Sequence, residues 1–85
     1  MFQIIYHDRA LKFLKKISKT EFKNLTDKIQ KLSTNPTDPS LDIKKLVNTT
    51  CSCRMRFRQI RIIYQIDQNR QLIYIENINF RGNVY

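Results

Sequence analysis

The sequence predicts an α+β fold in which a helical hairpin packs on one face of an antiparallel sheet, with the elements in the order β-α-α-β-β-β. Apolar residues recur at steps of three and four between residues 8 and 32, and they alternate with polar residues at the start of the segment 51–78. Two prolines separate these patterns. A chain of 85 residues has the size of one small domain, so we expect residues 1–85 to form a single domain.

The first half of the chain is predicted to form a strand and two helices. Residues 2–6 are apolar enough for a short strand, and Asp8 suits a helix N-cap. The first helix then carries the apolar stripe Ala10, Leu11, Leu14 and Ile17. Thr20 suits the N-cap of a second helix, whose apolar stripe is Phe22, Leu25, Ile29 and Leu32. Because the link between them is so short, the two helices should form an antiparallel hairpin.

A loop and three strands are predicted to follow. The two prolines block helix continuation, so residues 35–40 should form a loop. Residues 41–46 are ambiguous, although their leucines and isoleucine would suit an extended segment with two lysines facing out. The meander then comprises three strands, at residues 51–57, 60–66 and 71–78. Residues 72–75 are apolar on both faces, which is typical of a central strand.

Apolar and cationic residues alternate strictly at the start of the meander, and successive side chains of a strand point to opposite faces. The side chains predicted to enter the core are Cys53, Met55 and Phe57. The side chains predicted to project from the other face are Arg54, Arg56 and Arg58. If Arg58 and Gln59 form a tight turn, Arg56 lies directly opposite Arg61. Like charges in that position are unfavourable, so the cluster indicates a polyanionic partner.

The net charge indicates a partner of the same kind. Sixteen Lys and Arg residues against seven Asp and Glu residues give a formal charge of +9 and a pI near 10. In so small a domain this favours nucleic acid, an acidic protein or an anionic membrane surface as the partner. No apolar run reaches the length of a membrane span, and no signal peptide is expected at the start of the chain.

The two cysteines and the single histidine predict neither a disulfide nor a metal site. Cys51 and Cys53 would share one face of a strand, where a disulfide between them would be strained. His7 is distant in the chain, and a zinc site needs about four ligands. We expect Cys53 in the core, Cys51 at the start of its strand and His7 at the surface or as a helix cap. We also expect no cofactor and a reducing, cytoplasmic compartment.

The residue set is compatible with metal-free cleavage of RNA. The acidic residues are scattered, and Gly82 stands alone, so neither two-metal chemistry nor a phosphate-binding glycine loop is predicted. In RNA, the ribose 2′-hydroxyl can attack the adjacent phosphate. Arginine can stabilise the phosphoryl oxygens, but it is a poor proton carrier because its pKa exceeds about 12. Tyr85 could carry a proton, or it could stack on a base, and both roles stay open.

Five short motifs resemble those of the RelE/ParE superfamily of toxins from toxin–antitoxin systems, and they run through nearly the whole chain. From the N-terminus to the C-terminus, the motifs are YHDRALKFLKKISK, IQKLSTNP, DIKKL, CRMRFRQIRIIYQID and FRGNVY. The resemblance implies a small toxin. Its RelE-like branch cleaves messenger RNA in the ribosomal A site without a metal, leaving a 2′,3′-cyclic phosphate and a 5′-hydroxyl.

The resemblance also implies site residues and partners. It assigns the catalytic roles to Arg54, Arg56, Arg61, Arg81 and Tyr85. Further contacts to RNA are expected from Lys44, Lys45 and Arg58. The implied partners are an acidic antitoxin, which covers this face or displaces the C-terminus in a hetero-oligomer, and the ribosome with messenger RNA in its A site.

The chain departs from the family pattern at several positions. Its basic pair is arginine where some relatives carry lysine, and Phe80 stands where a histidine is common. Arg58 and Gln59 replace the usual glycine of the hairpin, and the sequence stops at Tyr85 where many relatives continue into another helix. Two alternatives therefore stay open, a ParE-like toxin that inhibits DNA gyrase without nuclease activity and a non-catalytic RNA-binding module. We favour the nuclease because the full arginine and tyrosine set is present.

Overall fold

The computed structural model of the chain describes residues 1–45 and 52–80. The elements of these residues are β1 (Gln3–Tyr6), α1 (Asp8–Lys16), α2 (Lys19–Thr34), β2 (Asp42–Lys45), β3 (Ser52–Phe57), β4 (Ile60–Asp67) and β5 (Leu72–Phe80). Within the described residues, neither helix is long and apolar enough to cross a membrane.

The strands form one sheet in the order β1-β5-β4-β3-β2. The meander of β3, β4 and β5 is antiparallel, as predicted, and β5 lies inside the sheet, between β1 and β4, as expected of a strand that is apolar on both faces. The α+β class with its helical hairpin on one sheet face is confirmed. Two details differ from the expectation. The ambiguous segment forms a further strand, β2, antiparallel to β3, and β1 pairs with β5 in parallel, so the sheet is mixed.

The observed N-caps lie one residue before the predicted cap in α1 and two residues before it in α2. His7 caps α1, because its Nδ1 accepts a hydrogen bond from the Arg9 backbone N–H at 3.2 Å. Asp8 lies inside the first turn, where its negative charge is favourable near the positive end of the helix dipole. Ser18, rather than Thr20, caps α2 through a 3.1 Å hydrogen bond that its Oγ accepts from the backbone N–H of residue 21.

The core lies between the helical hairpin and one face of the sheet. From the helices it takes Ala10, Leu14, Leu25, Ile29 and Leu32. From the sheet it takes Met55, Ile60, Ile62, Tyr64, Ile73, Ile75 and Ile78. Leu11 and Phe22 were predicted to be buried, but they are 40% and 45% exposed. Phe13 is directed inward instead of Leu11, and its ring centroid lies 5.0 Å from that of Phe80.

A two-residue turn fixes the register of β3 against β4. Arg58 and Gln59 form the turn, Phe57 pairs with Ile60, and Arg56 lies opposite Arg61, as predicted. Between β4 and β5 the register shifts by one residue at Ile63 and Tyr64, which pair with residues 77 and 75. Residue 76 is therefore the extra residue of a β-bulge, and the alternation of faces along β5 reverses there.

Candidate nucleic-acid interface

The sheet face away from the helices carries side chains that alternate with the core residues, and we call it the open face. Two rows of paired residues cross it at the end near the β3–β4 turn. The first row, from β2 to β5, is Asp42, Arg56, Arg61 and Asn79. The second row is Lys44, Arg54, Ile63 and Asn77. Each row thus places cationic side chains on adjacent strands and an amide on β5.

Arg54, Arg56 and Arg61 form what we call the arginine cluster. All three are half-buried, and the Nε atoms of Arg54 and Arg56 are shielded from solvent without a hydrogen-bond acceptor among the described residues. A buried donor without an acceptor costs about 1–3 kcal/mol. The cluster is therefore unfavourable in the isolated protein, and an anion with several acceptor oxygens would relieve this cost.

The described residues offer the arginine cluster little direct neutralisation, since Asp42 lies opposite Arg56 in register but forms no ion pair with it at 4 Å or less. The Nε of Arg61 donates a long, 3.4 Å hydrogen bond to Oδ1 of Asn79, which is a neutral acceptor. Within residues 1–45 and 52–80, the ion pair found at 4 Å or less joins Arg70 to Asp67 at 3.8 Å, away from the cluster. The guanidinium groups consequently keep their charge for a partner. The neutral amide of Asn79 accepts a hydrogen bond from Arg61 without neutralising the positive charge of the guanidinium group.

Arg58 does not lie with the arginine cluster, contrary to the expectation that it would project beside Arg54 and Arg56. Its backbone has φ 56°, in the left-handed region, which ends the alternation of the strand. Its Cζ lies 5.2 Å from the centroid of the Phe57 ring, and Lys28 of α2 approaches the same ring at 5.8 Å. Arg58 therefore belongs to the helix side of the turn.

The other predicted site residues are only partly covered by the described chain. Lys44 is exposed in the second row of the open face, beside Arg54. Lys45 pairs with Cys53 in the sheet register, and its side chain lies outside the description. Arg81 and Tyr85 both lie outside the described residues, as does Cys51. The roles assigned to all of these residues stay predictions.

The two asparagines of β5 were missed in the sequence. Asn77 and Asn79 flank the buried Ile78, and each ends one row of the open face. This polar-apolar-polar alternation is typical of a half-buried strand and could have identified the pair. The apolar residues at the start of β5 are the more prominent feature of this strand in the sequence.

The described tyrosines of the core do not suit proton transfer near neutral pH. Burial raises the pKa of Tyr64, and the neighbouring Cys53 thiol raises it further through charge and hydrogen bonding. Burial also raises the pKa of Tyr6. Both residues pair in register with core positions, so they face away from the arginine cluster. Within the described ranges, no three His, Cys, Asp or Glu side chains come together as metal ligands.

Comparison with known proteins identifies the family. The model of the family described as the ParE toxin of the type II toxin–antitoxin system parDE matches residues 4–85. The chain belongs to the RelE/ParE family of toxins. It is also 31% identical, over 85 residues, to the Methanocaldococcus jannaschii protein named RelE1, and the match covers 99% of this chain and 94% of that protein.

Solved structures of RelE proteins share the fold of this toxin. It superimposes on the RelE–RelB complex of Pyrococcus horikoshii OT3 with a TM-score of 0.84 and 22% identity, covering 98% of each chain. With the isolated Escherichia coli RelE toxin, the TM-score is 0.81 and the identity 17%, covering 99% of this chain and 88% of that one. At these identities the likeness confirms the arrangement of helices and strands.

Proposed function

We propose that this toxin is a ribosome-dependent endoribonuclease that cleaves messenger RNA without a metal ion. The main support is the arginine cluster, where Arg56 and Arg61 lie side by side on the open face and two buried Nε donors have no acceptor among the described residues. The non-bridging oxygens of one phosphodiester can accept hydrogen bonds from more than one guanidinium group. Such a phosphate would turn an unfavourable arrangement into a favourable one.

The proposed reaction is an attack by the substrate's own ribose 2′-oxygen on a phosphate bound by the arginine cluster. The ribose 2′-oxygen attacks the adjacent phosphorus, the bond from phosphorus to the 5′-oxygen breaks, and a 2′,3′-cyclic phosphate and a 5′-hydroxyl result. The arginine cluster stabilises the negative charge that develops on the phosphoryl oxygens. The 2′-hydroxyl loses a proton and the leaving 5′-oxygen gains one. We assign this proton transfer to Tyr85 or to a group on the ribosome, with Arg81 as a further phosphate ligand.

Two partners complete the proposed function. The ribosome would hold the 2′-hydroxyl in line with the scissile bond, which is why free RNA should be a poor substrate. An acidic antitoxin would neutralise the toxin, whose formal charge of +9 favours an anionic partner. The similar Pyrococcus horikoshii protein was solved as a complex with RelB, which supports a partner of this kind.

A translating extract with a defined messenger RNA tests the nuclease. Wild-type toxin should shorten the message, and Arg61→Ala should reduce the cleavage rate by about 10²- to 10³-fold, the usual effect of removing one donor to a developing oxyanion. Arg81→Ala should have a similar effect. Lys23→Ala is the matched control, because it removes an exposed cation of α2 on the other side of the sheet. Undiminished cleavage by folded Arg61→Ala and Arg81→Ala would contradict the proposal.

The match to a ParE family model supports a second candidate, a toxin that inhibits DNA gyrase. Purified protein would then block DNA supercoiling by gyrase and leave messenger RNA intact in the extract. A non-catalytic RNA-binding module would instead bind RNA with a steep dependence on salt and create no new RNA ends. The extract assay and the supercoiling assay together separate the three functions.

A further inference from the structure

A groove of about 530 Å³ lies on the open face beyond the arginine cluster, where β4 and β5 meet their connecting turn. Its lining includes Ile5 of β1, Gln65 of β4, and Leu72 and Tyr74 of β5. Tyr74 pairs with Gln65 on one side and Ile5 on the other, which gives the groove an aromatic floor between an amide and an aliphatic side chain.

The β-bulge places this groove and the arginine cluster on one face. Asn77 and Asn79 face the open side before the bulge, and the reversed alternation brings Tyr74 to the same side after it. On β4, Gln65 is two residues beyond Ile63, which pairs with Arg54. At the rise of a strand, Gln65 lies about 7 Å along the sheet from the row of Arg54 and about 14 Å from the row of Arg56 and Arg61. A polymer bound to the arginine cluster can therefore reach the groove.

The chemistry of the groove differs from that of the cluster. Tyr74 is 37% exposed and Ile5 38% exposed, so the floor offers apolar and aromatic surface. Asp67 also lines the groove, and the ion pair that it forms among the described residues, with Arg70, is exposed and therefore weak. This acidic side chain disfavours a phosphate or an acidic peptide. The occupant that fits is flat, neutral and polar at its edge.

The amide of Gln65 is held at the edge of this floor. Its Nε2 donates a 2.6 Å hydrogen bond to Oε2 of Glu76, the residue at the bulge. That contact does not engage the amide carbonyl oxygen, which can accept a hydrogen bond from a ligand. Stacking on an aromatic ring, with hydrogen bonds to the base edge, is how proteins bind unpaired RNA bases.

We infer that the groove binds the base of a messenger nucleotide near the scissile phosphate, with the base stacked on Tyr74. This inference rests on the proposed function, which supplies the phosphate in the arginine cluster. It makes Tyr74 and Gln65 determinants of which sequence is cut, whereas the arginine cluster is indifferent to sequence.

Binding of short 2′-O-methyl oligoribonucleotides, which lack the attacking hydroxyl, tests the inference. One oligonucleotide carries all its bases, and the other has abasic positions with the same phosphates. Tyr74→Ala should weaken binding of the first by about 5- to 100-fold and barely affect the second. Tyr74→Phe should restore binding, because the ring remains. Phe22→Ala, which truncates an exposed aromatic residue of α2, is the matched control and should change neither affinity.

The arginine variants distinguish failure of the base site in the groove from failure of the phosphate site in the arginine cluster. Arg56→Ala should weaken both oligonucleotides alike, because it removes a phosphate contact. If it does so and Tyr74→Ala weakens neither, or weakens both equally, the base site is overturned and the proposed function stands. If Arg56→Ala and Arg61→Ala both bind like the wild type, the proposed function fails as well.

Cleavage mapping in a translating extract identifies the source of the base. If the base belongs to the messenger, Tyr74→Ala should change the nucleotide preference near the cut. An unchanged preference would overturn the assignment to the messenger.

Discussion

Replacing Arg56 with methionine should stabilise the toxin and lower its cleavage rate by about 10²- to 10³-fold. The substitution keeps an unbranched stem on the open face and removes a buried Nε donor that has no acceptor among the described residues. It also removes one of two like charges that lie opposite each other on β3 and β4, and this outweighs the lost attraction to Asp42 on β2, which forms no ion pair with Arg56 at 4 Å or less. The first change is worth about 1–3 kcal/mol and the second about 0.2–1 kcal/mol. Because the side chain is only half-buried, we expect the lower end, about 1 kcal/mol.

Thermal unfolding of the free toxin, followed by circular dichroism, measures this gain. In a domain of this size, 1 kcal/mol corresponds to a rise in Tm of about 4–8 °C. The part due to charge repulsion should shrink as salt is added. Lys23→Met is the matched control, since Lys and Met have similar helix propensities and Lys23 is exposed on α2. A lower Tm for Arg56→Met would refute the reasoning, because it would show that the guanidinium group holds the fold together.

Three further predictions follow from individual contacts. Asn79→Ala should lower the cleavage rate several-fold and leave Tm nearly unchanged, because it releases the Nε of Arg61 from its acceptor; an unaltered rate in the extract assay would contradict this role. Ser18→Ala should cost about 1 kcal/mol of stability and Thr20→Ala much less, as compared by thermal unfolding, because the Ser18 hydroxyl caps α2. Burial raises the pKa of Tyr64 in the folded protein, so the neutral phenol contributes its full stability below the ordinary tyrosine pKa of about 10, and this contribution is lost as the pH rises towards the raised pKa of the folded state. Tyr64→Phe should therefore lose less stability at alkaline pH than the wild type, as measured by denaturant titrations.

The arginine cluster was predictable because its determinants are local. A strict alternation from Cys53 to Arg58 separates the two faces of β3, and a two-residue turn leaves one register for β4. The same alternation placed Arg58 on the wrong side, because a turn residue with φ 56° no longer follows strand geometry. The two-residue alternation of the strand therefore ends at Phe57, and the direction of the Arg58 side chain is set by the turn.

The features that escaped prediction depend on contacts between distant parts of the chain. Nothing in residues 2–6 shows that β1 will pair in parallel with β5, because the two strands are the first and last elements of the described chain. The bulge at Glu76 has no glycine or proline to mark it, so Tyr74 was assigned to an apolar strand and its groove was missed. Both Asp8 and His7 are candidate caps of α1 in the sequence, and Asp8 is preferred there because aspartate is the commoner N-cap residue, but the cap is His7.

The chemistry of the RNA ends tests the central claim most directly, namely that the arginine cluster promotes attack by the ribose 2′-hydroxyl. Fragments made by the wild-type toxin in a translating extract should end in a 2′,3′-cyclic phosphate and begin with a 5′-hydroxyl, and both should disappear with Arg61→Ala. Fragments with a 3′-hydroxyl and a 5′-phosphate would contradict the account, because water would then be the nucleophile.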